Sequence, residues 1–229
     1  YCVSSSGEEA GRGAPYSLSP VPPVIRHSTA GLDVGTGNAA PRLPSPSRTS
    51  HYAGGPETED NLNLKHLASR MEHNAQAIRS LVHDVSDRDA RWKPDPDAWS
   101  MLDVVNHLAY EEEHDFRDRL DLILHRPQEP WPSGNSARGV TASSRWRSLE
   151  EALAAFLTAR AESLVWLEGL REPRWETPYE APFGEIKAGD IMAAWVAHDL
   201  LHVRQLLELH WQRLTEDVEP YRLRYAGSW

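Results

Sequence analysis

The sequence predicts an all-α fold, a four-helix bundle with a crossover connection preceded by a disordered N-terminal tail, on three observations. Apolar residues recur at steps of three and four in four separate stretches. Prolines fall between those stretches and never inside them, and no credible hairpin signal separates alternating segments. The tail takes residues 1–57 and the bundle domain residues 58–229.

The first helix is carried by Leu64, Leu67, Met71, Ala75, Ile78 and Leu81/Val82, one amphipathic face, and it stops between Ser86 and Asp97, where Pro94 and Pro96 forbid continuation. The second starts at Ser100, whose hydroxyl can accept from the free amides of the first turn, with Asp103 suited to the positive dipole end. Trp99 and Val104 bracket that start as a hydrophobic staple. This helix is expected to run unbroken through Val105, Leu108, Phe116, Leu120 and Ile123 to Arg126-Pro127, followed by a polar connection containing Pro130, Pro132 and Gly134. The third opens on a capping box, Ser148 with Glu151, and carries Leu149, Leu153, Phe156, Leu164, Leu167 and Leu170. Arg160 takes a place in that stripe, its stem free to pack while its head reaches water or a carboxylate. Pro173 and Pro178 close it. The fourth enters near Ala188-Gly189-Asp190 with a poorly defined cap and continues to about Leu214. None of these helices is stable without its neighbours, and the long connections favour an overhand crossover over tight turns.

Residues 1–57 hold 8 Gly, 8 Pro and 9 Ser, so these three types fill 25 of 57 positions with no helical or alternating pattern, which is the composition of a disordered segment. The tail lacks the cationic start and apolar core of a secretory signal. The chain opens with Tyr rather than Met, as a fragment or an upstream extension of the reading frame would.

Composition narrows the function classes. The 229 residues carry a formal charge of −10, from 34 acidic against 24 basic side chains, a field that repels phosphate backbones and argues against nucleic acid as a partner. No apolar run reaches the roughly 18 residues of a membrane span, so no membrane role is expected. Cys2 is the only cysteine, which excludes an internal disulfide and a cysteine-based metal cluster and argues against an intrinsic thiol nucleophile. A cytoplasmic location, a small-molecule substrate and a homodimeric state are the expectations that go with this picture.

Chemistry points to the last helix. Ile191, Trp195, His198, His202, Gln205 and Leu209 follow one another at steps of four and three, so two imidazoles one turn apart share the inward seam and come within reach of one ion. The second helix offers a third, His107, in Val105-Asn106-His107-Leu108, and facing helices of a bundle can project ligands into one core site. Three neutral nitrogen donors leave coordination positions open, the layout of a catalytic zinc site. Core imidazoles that each find a hydrogen-bond partner are the metal-free alternative. Glu111, one turn beyond His107, is a candidate general base or partner of a ligating ring, against which stands its membership of an acidic run, Glu111-Glu112-Glu113, on a wet face. Asp199 and Gln205 are candidates to orient a nucleophile or a ring, and Trp195 to wall the pocket. His66, His73, His83, His114, His125 and His210 fit solvated faces or helix ends. No glycine-rich phosphate loop, nucleophile elbow or zinc-protease motif occurs.

The segments Trp99-Ser100-Met101-Leu102-Asp103-Val104-Val105-Asn106-His107-Leu108, with the following Glu112-Glu113-His114-Asp115-Phe116-Arg117, and Ala188-Gly189-Asp190-Ile191-Met192-Ala193-Ala194-Trp195-Val196-Ala197-His198-Asp199-Leu200-Leu201-His202-Val203-Arg204-Gln205-Leu206 resemble the DinB/YfiT-like superfamily over roughly residues 60 to 229. The resemblance implies a four-helix bundle with a crossover and a divalent metal bound by one histidine of the second helix and an H-x-x-x-H pair of the fourth, here His107, His198 and His202. Zinc is the default ion, with nickel or iron as alternatives. It also implies, from characterised relatives, a thiol-dependent transferase that takes a low-molecular-weight thiol as cosubstrate, or a hydrolase. A non-catalytic, stress-associated metal-binding bundle is the other reading.

Overall fold

The computed structural model describes residues 62–132 and 146–227. The tail expected over 1–57 lies outside the described residues, as do Gly134 and most of the connection before Ser148. The elements are α1 (Leu64–Val82), the single turn α2 (Asp87–Ala90), α3 (Met101–His114), α4 (Phe116–His125), α5 (Leu149–Gly169), the strands β1 (Pro178–Ala181) and β2 (Gly184–Lys187), α6 (Ala188–Asp217) and a 3-10 turn at Leu223–Ala226. Among the described residues no helix is long and apolar enough to cross a membrane.

Helix starts follow the capping chemistry. The Ser100 side chain accepts from the Asp103 amide at 3.1 Å while Asp103 Oδ2 accepts from the Ser100 amide at 3.0 Å. Ser148 and Glu151 repeat the arrangement at the head of α5, at 3.1 and 3.3 Å. The start of α6 is better defined than its sequence suggests. Lys187 N–H donates to Asp190 Oδ2 at 2.9 Å, and the Gly189 amide donates to the Trp175 carbonyl at 2.9 Å. A Cβ on Gly189 would lie 3.3 Å from that carbonyl oxygen, so the close approach favours glycine there.

α1 packs on α5 and α6, α3 packs on α5 and α6, and α4 packs on α6. The order around the bundle is therefore α1, α5, α3/α4, α6, with α1 diagonal to α3 and α5 diagonal to α6. Two of the three long connections cross the bundle diagonally, which is the predicted crossover and explains their length.

Two expectations change. The second helix does not run unbroken: Asp115, at φ −125° and ψ −81°, leaves helical geometry and divides α3 from α4. Neither Pro nor Gly marks the break. Asp115 instead receives the Arg119 guanidinium, a pairing that a helical reading of the sequence treats as an ordinary i, i+4 contact. The connection from α5 to α6, read as free of hairpins, contains one: β1 pairs antiparallel to β2, Tyr179 opposite Ile186. Strands of four residues are too short to show alternation, and the turn uses Gly184 at φ +123° after Pro182-Phe183 rather than Asn-Gly. Tyr179 donates its hydroxyl proton to the Glu129 carbonyl at 2.7 Å, tying the hairpin to the end of α4.

The core is layered. One apolar cluster gathers Ala75, Ile78, Val104, Leu108, Phe156, Leu206 and Leu209, the other Met71, Phe116, Leu120, Leu167, Met192 and Trp195. Between them α1, α3, α5 and α6 each place a buried polar residue: Asn74, Glu112, Arg160 and Asp199 respectively.

Candidate metal centre

His107 reaches the site from α3, His198 and His202 from successive turns of α6. Their positions are set by the capping box one turn and a half before His107 and by the Gly189–Trp175 contact that fixes the rotation of α6. Asn106 adds a clamp: its side-chain amide donates to the Leu102 and Trp146 carbonyls at 3.0 and 3.2 Å, and its carbonyl accepts from the Trp146 amide at 2.9 Å. The residue beside His107 thus bonds the chain leading into α5.

The three rings converge through their Nε2 atoms. His198 Nε2 lies 3.2 Å from His107 Nε2 and 3.1 Å from His202 Nε2, and one ligand atom from each ring lies within 4.8 Å of the others. His107 and His202 are buried and His198 is half-buried. Burial, reinforced by the neighbouring rings, pushes His107 down to about 3 and His198 well below the usual histidine range; burial alone lowers His202 to about 4, against the opposing pull of Gln205. All three are neutral at pH 7 and present lone pairs.

The donor set fits a cation. Gln205 Oε1 lies 2.8 Å from His202 Nδ1, so an acceptor holds the proton on that nitrogen and leaves Nε2 as a bare lone pair. His198 Nε2 carries at most one proton and cannot donate well to both neighbours. A tetrahedral ion with bonds of about 2.0 to 2.1 Å separates its nitrogen ligands by about 3.3 Å, close to the two separations measured from His198 Nε2. His107 Nδ1 is buried with no hydrogen-bond partner among the described residues, and Glu111 Oε1 lies 3.7 Å from it. A small approach of Glu111 would give His107 the carboxylate contact that orients a ligating imidazole.

Not every candidate sits where the sequence suggests. Glu111 and Gln205 lie against the rings. Asp199 does not: its carboxylate takes two Arg160 nitrogens at 2.8 Å each and the Asn74 amide at 3.3 Å, which leaves it a core anchor rather than an orienter of imidazole or nucleophile. Trp195 is likewise committed elsewhere, fully buried, stacked on Phe116 at 5.8 Å, its indole N–H donating to Glu112 Oε2 at 2.8 Å. The aromatic walls of the cluster are Trp99, edge-on to His107 at 5.0 Å and parallel to His202 at 6.2 Å, and Phe116, 5.0 Å from His198. Trp99 was legible as a staple; its second role follows only from the helix crossing.

The acidic run is not a wet face. Glu112 is 2% exposed and accepts from Arg160 Nε and Nη2 at 2.8 Å each. Burial works against the Arg160 charge, but Asp199 and Glu112 outweigh it and raise its proton affinity. Burial, with Asp115 adding to it, pushes the Glu111 carboxyl up to about 8 despite Arg119. The sequence signal for this network was Arg160 at an apolar stripe position, which asks for a buried counter-charge.

No curated protein matches this chain. Among solved structures it is similar to YfiT from Bacillus subtilis, a "probable metal-dependent hydrolase with an unusual four-helix bundle topology", with a TM-score of 0.57 and 14% identity over 69% of this chain and 93% of that one, a likeness of fold. The DinB superfamily model matches residues 70–206, a stretch that contains His107, His198 and His202 together with all four buried polar residues of the middle layer, and this chain belongs to that superfamily.

Proposed function

We propose that this protein is a DinB-like metalloenzyme that holds a divalent metal, zinc by default with nickel or iron as alternatives, through Nε2 of His107, His198 and His202. Its activity is to deliver a small nucleophile to a small-molecule electrophile, as a thiol-dependent S-transferase or a hydrolase. The observation that carries this reading is the convergence of three neutral rings in a buried site, with His107 Nε2 and His202 Nε2 at 3.2 and 3.1 Å from His198 Nε2 and all three ligand atoms within 4.8 Å of one another. The chemistry a divalent ion supplies when bound is Lewis acidity, which favours the anionic form of a thiol or of water at neutral pH.

The protein's own groups do the rest. Gln205 holds the His202 proton on Nδ1. In the metal-free protein burial raises the Glu111 carboxyl to about 8; a divalent ion on the rings would favour its carboxylate, which could then accept a proton at the oxygen beside His107. Trp99 and Phe116 give the cluster apolar walls that exclude water and suit an apolar electrophile. The lone cysteine, Cys2, leaves a thiol to arrive as cosubstrate. The description of YfiT as a metal-dependent hydrolase supports a metal-based reading on the same fold.

The test is metal content and turnover of the full chain. Elemental analysis is expected to give one divalent ion per chain in the wild type and little in His198→Ala. Turnover of thiol and electrophile, or hydrolysis without thiol, is expected to disappear with chelator and in His202→Ala. Turnover that ignores both overturns the mechanism. Metal that supports folding with no turnover of any thiol, ester or amide replaces the enzyme with a non-catalytic metal-binding bundle.

A further inference from the structure

A guanidinium offers a carboxylate two edges, one formed by Nε with an Nη and one by the pair of Nη groups. Arg160 fills both: Glu112 takes Nε and Nη2, and Asp199 takes Nη1 and Nη2. Arg126 is spread over Asp121 and Glu129, and Arg213 over Asp89, Glu216 and Asp217. Arg119 differs. Its Nε donates to Asp115, while its two Nη groups make no hydrogen bond among the described residues. Bulk water does not simply replace the second partner, because the side chain is only 14% exposed and its guanidinium lies 4.4 Å over the Trp131 ring. Trp131 in turn packs on Tyr179 and Phe183 of the hairpin. Asp115 and Trp131 thus hold the fork in one orientation before any ligand arrives, which lowers the cost of filling its open edge.

The position of this edge ties it to the three histidines. His107, Glu111, Asp115 and Arg119 follow one another at steps of four along α3 and into α4, and Glu111 Oε1 lies 3.7 Å from His107 Nδ1. Arg119 reaches back to Asp115, and the eight residues from His107 to Asp115 span about 12 Å of helix. Phe116 lines the interval, 5.0 Å from His198. One small molecule covers that distance. We propose that the Nη edge of Arg119 is a specificity-determining subsite that binds a carboxylate borne by the electrophile. The subsite deepens the proposed function and rests on it for where the reaction occurs. The electrophile is the bearer because it is common to the transferase and hydrolase readings and, unlike the thiol or water, is not itself held by the ion. A carboxylate fits better than a phosphate, since Asp115 already sets one negative charge against the guanidinium and a planar monoanion meets two parallel N–H groups with less repulsion.

Isothermal titration of the full chain with phenylacetate and phenylacetamide tests the subsite, because the two probes share a ring and differ in the charged fork. The acid is expected to bind about tenfold more tightly or better. That preference is expected to vanish in Arg119→Gln and to survive in part in Arg119→Lys, which keeps the charge without the fork. The ratio of the two affinities separates recognition from folding, since a disturbed fold weakens acid and amide together. Repeating the titrations after chelation separates Arg119 from the ion. Failure of the acid to bind better than the amide overturns the inference, and so does a preference unchanged in Arg119→Gln. A preference that disappears on chelation and ignores Arg119 also overturns it, by placing the carboxylate on the ion. An Arg119-dependent preference in a chain that binds no metal upholds the subsite and removes the metalloenzyme reading instead, while metal binding without the preference does the reverse.

Discussion

Gln205 accepts from His202 Nδ1 and so keeps that ring's proton on Nδ1. Gln205→Leu is therefore expected to leave the fold intact and weaken metal binding by about 10- to 100-fold, the usual cost of losing the partner of a ligating histidine, as read by competition with a chromogenic chelator. Glu111 permits a pH prediction. In metal-free protein between about pH 7.5 and 8.5 the three rings are almost wholly neutral both folded and unfolded, because an unfolded histidine titrates near about 6.5, so they drop out. Glu111 holds its proton to about 8 when folded and releases it near the ordinary value of 4.5 when unfolded. The folded state then binds more protons, and stability falls as pH rises through this window. Burial raises Asp115 and Asp199 in the same direction, against the pull of Arg119 and Arg160, and Arg160 stays charged throughout. Urea midpoints of chelator-treated protein at about pH 7.5 and 8.5 should show the fall in the wild type and a smaller one in Glu111→Gln; an equal fall in both removes Glu111 as its source. At this scale the histidines were legible because their spacing fell on an apolar seam. Glu112 was not, because burial of a carboxylate is decided by an arginine on another helix, 48 positions away.

Elements were legible where local chemistry decides them and obscure where contacts across the bundle do. The caps at Ser100 and Ser148 sit at the positions their side chains dictate. Ser100→Ala is expected to cost about 1 kcal/mol in urea unfolding, and Ser148→Ala a similar amount. The two differ in consequence: α3 carries His107 less than two turns from its cap, so Ser100→Ala should also weaken metal binding, while Ser148→Ala, at the head of a helix with no ligand, should not. Equal effects on metal binding would mean that caps act only through global stability. The break at Asp115 and the hairpin at Pro178–Lys187 were not legible. The first lacks a breaker residue and the second is too short for alternation to register, yet both serve the site, since the break turns Phe116 toward His198 and Trp195 and the hairpin leads directly into α6.

Taken as one body, the bundle encloses a charged plane between two oily halves, and its stability depends on how that plane balances. Arg160 meets Glu112 through two bonds and Asp199 through two more, and a fifth contact runs to the Met71 carbonyl at 3.0 Å, so one guanidinium joins α5 to α1, α3 and α6. Desolvation makes such a cluster a poor source of net stability but a costly one to break. Arg160→Met leaves two buried carboxylates facing each other and is expected to lose about 3 to 5 kcal/mol, whereas Arg160→Met combined with Glu112→Gln and Asp199→Asn should recover a large part of that loss because no unpaired charge remains. The proposed metal would act across the same seam, joining α3 to α6 through the three rings. Saturating wild type at about 100 times the dissociation constant should therefore raise its unfolding free energy by about 2.7 kcal/mol, and His198→Ala should gain little. The two effects separate in one experiment. If the polar plane and the metal centre are independent supports, the metal increment persists in the triple variant. If the Arg160 network holds α6 in the rotation that aims His198 and His202 at His107, the increment shrinks there even though the charge balance has been restored. The shared helix turn, with Asp199 next to His198, makes the second result the expected one.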